Sequence, residues 1–562
     1  MTSIKIFLSC FLLLVCSNFL PGQDFLTSII ERYDEFNKEI EEASKTGWPN
    51  VSVSFIEKNI LHHQSLIQAL SKVNKAELNE EDQINVEMFK LILESALFDL
   101  EYGTHLMPLN SEGGFIISMM YNVRGKKLNS DEDIQNYIKK INSTNLYLDA
   151  QIANLRKGLK SEIIRPKIVV ENCIQILEDL LSSDEFFLFV PLKGKHTFEP
   201  QFETEIFNAF RRLHTFLKNE YLPKARIKIG IKENKNGKAF YEQRVRFYTT
   251  LDMSPQEVFE VGKSEVARIR SEMEAIIDSL NFEGTFEEFT TFLREDPQFY
   301  AQTDKELLYF ASWLSKKAEA FLPRYFNKLP RLPFTVTPVP LAIAPNYTTG
   351  RYSGGSMKGQ KAGQYWVNTY NLPARPLYVL PSLTLHEAVP GHHLQISLAK
   401  ELKGLPKFRS HYLSAFGEGW GLYSEYLGKE AGMYQTAYED FGRLTYEMWR
   451  ACRLVVDPGM HYFDMTKDEA IAFMKDNTAL SMHEINTEIN RYIGWPGQAV
   501  SYKIGELKIR ELRKKAELEL GDKFDIREFH DLVLANGSIP LNTLERIINQ
   551  YIEIKNSDVE KN

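Results

Sequence analysis

Leu383-Thr384-Leu385-His386-Glu387-Ala388-Val389-Pro390-Gly391-His392-His393-Leu394-Gln395 is the stretch from which the rest of this chain is read. A zinc-binding helix of the His-Glu-x-x-His kind sets two imidazoles one turn apart on one face, close enough to share a tetrahedral ion. The Glu beside the first His then faces the water on that ion and takes its proton. Here Pro390 stands where the second His belongs, and histidines follow at 392 and 393. On a straight helix six residues turn about 600°, which is the wrong face, and seven rise about 10 Å, which strains a shared ion. Pro390 removes a helical hydrogen bond and Gly391 tolerates unusual dihedrals. The pair is therefore expected to bulge two residues out of the helix and deliver His392 as the second ligand. His393 is the other candidate; if His392 binds, His393 supports the site or faces substrate. The plainer alternative is a kinked helix whose histidines only pack or solvate.

Working outward, six of the twelve histidines lie within residues 386–483, so the chemistry concentrates there. A long helix is expected to begin near Pro381-Ser382, with Ser382 as its N-cap. A third ligand is expected on a following helix. Glu418, 26 residues after His392, sits among Gly417, Gly419 and Gly421, which permit close backbone approach. Glu425 lies two turns on along the same face, placed to accept a ligand imidazole N–H. Both carboxylates would otherwise be solvated helix residues.

Residues 24–326 read as a succession of amphipathic helices, as in 258–280, with apolar residues at three- and four-residue steps. Prolines 330, 333, 338, 340 and 345 break the pattern, and β-branched residues among them suggest an extended or edge strand. A glycine-rich loop over 350–363 and a second strand over 364–370 follow; that strand is a candidate edge for pairing with a substrate backbone. The division expected is 1–22 signal peptide, 23–328 N-terminal helical part and 329–562 catalytic part, the last two forming one fold. At the N-terminus, Lys5 precedes an apolar run over 6–15 and a turn-prone Leu20-Pro21-Gly22-Gln23, the order of a secretory signal. Export to the periplasm or the outside follows, with a lipoprotein on Cys16 the lesser alternative. No other stretch approaches a transmembrane span.

The bulk properties narrow the class. The 562 residues carry a net charge of -8 without a clustered basic face, which argues against a nucleic-acid partner. Hydrophobic residues at 43% and charged at 25% fit a soluble globular protein. Of four cysteines, Cys10 and Cys16 fall in the signal, leaving Cys173 and Cys452 as buried free thiols rather than a disulfide scaffold.

The run 386–395, together with Glu418-Gly-Trp-Gly-Leu-Tyr-Ser-Glu425, resembles the bacterial "domain of unknown function 885" family, grouped by similarity with the Glu-zincin metallopeptidases. Val367-Asn368, Arg453-Leu-Val-Val-Asp457-Pro-Gly459-Met-His461 and residues 488–505 extend the resemblance over most of the mature chain. It implies a mainly α fold like angiotensin-converting enzyme and the bacterial zinc carboxypeptidases, two helical lobes around a deep active-site cleft with a small β-sheet beside it. The spacing inside the first motif is longer here than in those enzymes.

Peptide hydrolysis builds negative charge on the carbonyl oxygen, so a Tyr or His donor is expected beside the ion. Tyr492, Tyr502, His461 and His483 are the candidates, each with packing as its plainer role. Arg453, Arg491 and Lys503 are candidate binders of a substrate carboxylate, with a structural ion pair as the equal alternative. Asn368 joins them as a candidate substrate-binding position through the resemblance, and Asp457 is expected to fix local structure. The expectation is hydrolysis of peptides by one Zn2+ on His386, His392 and Glu418 with Glu387 as base. The alternatives are hydrolysis of another amide or ester at the same site, or an inactive binding protein on the same fold. Oligomeric state is not legible.

Overall fold

The structure, a computed structural model, describes residues 21–110, 113–341, 343–344 and 347–557. The signal-peptide reading, Cys16 included, lies outside the described residues apart from 21 and 22. The chain is mainly helical with one small sheet among the described residues. The helices start where the chain supplies caps. Ser254 and Glu257 form a capping box at Pro255–Ser279, with Pro255 in the first turn, and Thr436 with Glu439 does the same at Ala437–Tyr462. The helix read over 258–280 is the first of these.

The expected division at 328/329 does not separate two cores. The larger apolar cluster runs from Leu26 to Ile552. Pro255–Ser279 packs so closely on Ala437–Tyr462 that a Cβ at Gly262 would stand 2.6 Å from the Leu454 Cβ. Cys173 and Cys452 are buried and free. No helix among the described residues is long and apolar enough to cross a membrane.

The sheet orders β1 (Phe334–Pro338), β3 (Gly363–Val367) and β2 (Gly350–Ser353), with β3 in the middle, parallel to β1 and antiparallel to β2. This corrects two expectations. The strand read over 364–370 cannot pair with a substrate backbone, because both of its edges are occupied. β2 lies inside the stretch read as a glycine-rich loop, and β2 and β1 are the strands with an outer edge. Four strand residues amid glycines leave too short a pattern to read.

Six helices of the C-terminal half build the site: α1 (Leu380–Glu387), α2 (His392–Glu401), α3 (Ser414–Glu430), α4 (Ala437–Tyr462), α5 (Met482–Gly494) and α6 (Ser501–Leu520). The long helix expected from 381 is thus two short ones. Nor is Ser382 a cap. The N-cap position falls at Val379, and the Ser382 hydroxyl, already inside the first turn, donates to the Glu425 carboxylate.

Candidate metal centre

The break between α1 and α2 is a hydrogen-bonded turn rather than a bulge in one helix. Gly391 N–H donates to Leu385 O (3.0 Å), and His393 N–H to Ala388 O (3.0 Å). A Cβ at Gly391 would stand 2.0 Å from His386 O, so glycine alone fits. Trp420, on α3, donates its indole N–H to Pro390 O (2.8 Å) and pins the turn from the other side. The outcome is that His386 ends one helix, His392 opens the next, and both rings meet with centroids 4.7 Å apart at 88°.

Glu418 on α3 completes the group. His386, His392 and Glu418 each offer a ligand atom, all within 4.8 Å of one another. His386 Nε2 and His392 Nε2 both lie 3.4 Å from Glu418 Oε2. Charge-assisted hydrogen bonds close to about 2.7–2.9 Å. Ligands held about 2.0–2.1 Å from one tetrahedral zinc stand roughly 3.3–3.4 Å apart. The donor set and its spacing therefore fit a shared ion better than direct pairing.

The surroundings orient these groups. His386 Nδ1 lies 2.7 Å from Glu425 Oε1, an acceptor once ionised, so Nδ1 keeps its proton and Nε2 is the nitrogen that a metal ion would take in place of a proton. Burial alone would lower the His386 pKa, but Glu418 and Glu425 outweigh it and raise it to about 9. Burial would likewise raise Glu418, yet the two histidines hold its carboxyl well below the usual range. This is a pocket that demands positive charge. Arg450, 3.7 Å from Glu425 Oε1, and Ser382 complete the support of Glu425.

Glu387 is buried and outside the ligand set. Its Oε2 accepts the backbone N–H of Tyr352 on β2 (2.7 Å). His393 is neither a member of the ligand group nor open to substrate. At 2% exposure its Nδ1 lies 3.0 Å from the Tyr352 hydroxyl, its ring packs against Phe334, and burial pushes its pKa down to about 4.

Gly421 brings α3 against the His386 ring. A Cβ there would stand 2.6 Å from His386 Cε1 and 2.7 Å from Nε2. Gly421→Ala is expected to displace the imidazole and weaken zinc binding by roughly 10- to 100-fold, the range for disturbed ligand orientation. Zinc titration beside circular dichroism checks this: wild-type affinity in the folded variant would show that the contact does not matter.

The remaining candidates separate. Tyr502 is half-buried, with Arg453 4.2 Å over its ring, and its phenol is raised by burial and by the Glu418 charge. Tyr492 is corrected to a structural role: 1% exposed, its hydroxyl donates to Glu488 Oε2 (2.7 Å) and accepts from Arg453 Nε (2.8 Å) and Trp449 (3.1 Å). His461 is corrected too. Fully buried, it accepts from Ile231 N–H and approaches Tyr492 O, tying α4 to distant backbone. His483 is exposed in the first turn of α5 and makes no hydrogen bond or ion pair among the described residues.

Of the candidate cations, Arg453 and Arg491 share Glu488, at 3.2 and 2.9 Å. Arg453 Nη1 is nevertheless buried without a hydrogen-bond partner. Lys503 is fully buried among Glu265, Glu447 and Glu506, which corrects its reading as a substrate binder. Asn368 donates to Ala344 O, Tyr347 O and Thr348 O, anchoring the loop that enters β2. Asp457 accepts from Tyr241 (2.6 Å) and from Gly497 N–H (3.0 Å), a local brace as expected. An open groove of about 610 Å³ lined by Arg268, Arg443, Glu447 and Arg510 shares no residue with the ligand group.

Two site residues escaped the sequence reading. The Tyr412 hydroxyl donates to Glu418 Oε1 (3.0 Å), the oxygen not facing the histidines. Its ring leaves no space for a Cβ at Gly417 (2.2 Å), which explains that glycine. Tyr412 keeps 43% of its surface open, while neighbouring protein and the Glu418 charge push its phenol well above the ordinary range. Arg351 on β2 is also exposed. No motif marks either residue; the one available signal was Gly417, whose missing side chain is the space Tyr412 fills.

The family described as "Bacterial protein of unknown function (DUF885)" matches residues 37–548. No curated protein matches the chain. Among solved structures, a protein of Colwellia psychrerythraea, provisionally described as a lipoprotein, aligns at TM-score 0.84 and 25% identity, covering 95% of this chain and 99% of its own. One of Shewanella oneidensis, provisionally described as a lipoprotein of unknown function, aligns at TM-score 0.78 and 18% identity over 94% and 99%. A carboxypeptidase of Pyrococcus furiosus reaches TM-score 0.35 at 12% identity, a likeness too low to carry the fold across.

Proposed function

The chain belongs to the bacterial DUF885 family, whose description assigns no activity, and on that premise we propose that it is an exported, zinc-dependent hydrolase of peptide bonds in short peptides. The observation that carries the reading is the pair of 3.4 Å separations by which His386 and His392 face one Glu418 oxygen. A zinc ion held there supplies a Lewis acid that acidifies a water and draws charge from a carbonyl oxygen. Glu387, outside the ligand group and fixed by the Tyr352 N–H, is the base. It takes a proton from the water as the water oxygen bonds to the carbonyl carbon. It hands that proton to the amide nitrogen as the C–N bond breaks. Tyr412 holds Glu418 by one oxygen and leaves the other to the histidines. Tyr502, half-buried and within the field of Glu418, is the phenol that would meet charge on the carbonyl oxygen, since Tyr412 donates its one O–H to Glu418. The apolar N-terminal run and the lipoprotein descriptions of the two relatives support export.

Metal content tests the reading. Mass spectrometry of the mature protein is expected to find about one zinc per chain, lost in His386→Ala and His392→Ala and kept in His393→Ala. Absence of metal after zinc is added back would end the hydrolase reading and leave a binding protein. Loss in His393→Ala but not in His392→Ala would exchange the second ligand.

A further inference from the structure

Arg351 is the second residue of β2, where it stands opposite Trp366 and its neighbour Tyr352 stands opposite Tyr365. The Tyr352 N–H that reaches Glu387 leaves β2 on the side away from β3, so the free edge of the strand runs beside the proposed base. Side chains alternate across a strand. Tyr352 turns inward to His393, and Arg351 takes the opposite face, where it is exposed. Its guanidinium senses the Tyr347 phenol and the Glu387 and Glu418 charges. Among the described residues it forms no ion pair within 4.0 Å. The three cations first considered for a substrate carboxylate, Arg453, Arg491 and Lys503, are paired with glutamates.

The charge balance says what such a group would attract. Glu387 and Glu418 carry two negative charges, which a divalent ion cancels. Arg351, without a carboxylate partner of its own, then offers a planar fork whose geometry matches a carboxylate.

We propose that Arg351 binds the free α-carboxylate of the substrate's last residue, so that the substrate class is peptides cut one residue from the C-terminus, dipeptides included. The proposal rests on the zinc-hydrolase reading and names its substrate.

The test uses two probes on the zinc-loaded full chain: 2-benzyl-3-sulfanylpropanoic acid, whose thiol seeks the metal and whose carboxylate seeks Arg351, and its primary amide. Calorimetric titration is expected to show the wild type binding the acid about ten- to hundredfold more tightly than the amide. Arg351→Met should lose that preference while binding the amide as the wild type does, which also shows that the variant is folded and metal-loaded. Arg351→Lys should keep part of the preference, having the charge without the fork. Equal binding of both probes by the wild type, or a preference that survives in Arg351→Met, would overturn the proposal and leave the metal centre standing. Failure of the zinc-loaded wild type to bind either probe would strike the metal reading itself, and the role of Arg351 with it.

Discussion

Glu387→Gln is expected to retain its zinc and to hydrolyse peptide about a thousandfold more slowly, within the range for removal of a general base. The two halves of that result come from different atoms. Zinc is retained because the ligand atoms belong to His386, His392 and Glu418, and Glu387 is not among them. The fold around the position is kept because the Tyr352 N–H needs only an acceptor oxygen, which a glutamine amide supplies at the same place. Turnover falls because an amide cannot take a proton from water near neutral pH. Parallel measurement of metal content and of release from a short-peptide mixture checks both halves. Wild-type turnover in a zinc-loaded variant would remove Glu387 from the chemistry. Loss of zinc together with turnover would show instead that Glu387 holds the centre together.

What could be read from the sequence was whatever is carried by local spacing. The helices followed from three- and four-residue periodicity and from caps such as Ser254 with Glu257. The grouping of His386, His392 and Glu418 followed from a local anomaly, a histidine displaced from its usual step by Pro390 and Gly391, and from a glutamate set among glycines. Even there the physical solution differed from the expected bulge. Two short helices meet at a turn, in which Gly391 lies so close to His386 O that only a glycine fits.

What could not be read depends on partners far away in the chain. Ser382 looked like a helix cap because its actual partner, Glu425, is 43 residues distant. Tyr492 and His461 have the chemistry of oxyanion donors. Which hydroxyls and ring nitrogens remain free is decided by Arg453, Trp449 and Ile231, and nothing local to Tyr492 or His461 reveals those contacts. Tyr412 and Arg351 were missed for the converse reason. Each is an ordinary residue in an ordinary context, made part of the site only by the approach of α3 and of β2 to the centre.

Lys503 shows the same dependence with the largest expected effect on stability. Its Nζ lies 2.7 Å from Glu447 Oε1 and 3.1 Å from Glu265 Oε2, and it contacts Glu506 as well. The side chain has no exposed surface. Burial would lower its pKa, but the three carboxylates outweigh burial and raise it, so it stays charged. Glu447 also pairs with Arg443 (2.9 Å) and Arg268, and Glu506 with Arg510 (2.9 Å). Lys503→Met therefore leaves no carboxylate wholly alone, yet it removes the one cation that all three share. The expected cost is about 3–5 kcal/mol, the range for breaking a buried pair by deleting one partner. Urea unfolding measures it. A second substitution separates charge from packing: if the cost is uncompensated carboxylate, Glu506→Gln in the Lys503→Met background should recover a large part of it. If the cost is lost packing, the two changes should simply add. Zinc content should stay at the wild-type value throughout, because the cluster shares no residue with the ligand trio. A Lys503→Met protein as stable as the wild type, but weakened in binding a peptide carboxylate, would return this lysine to the substrate.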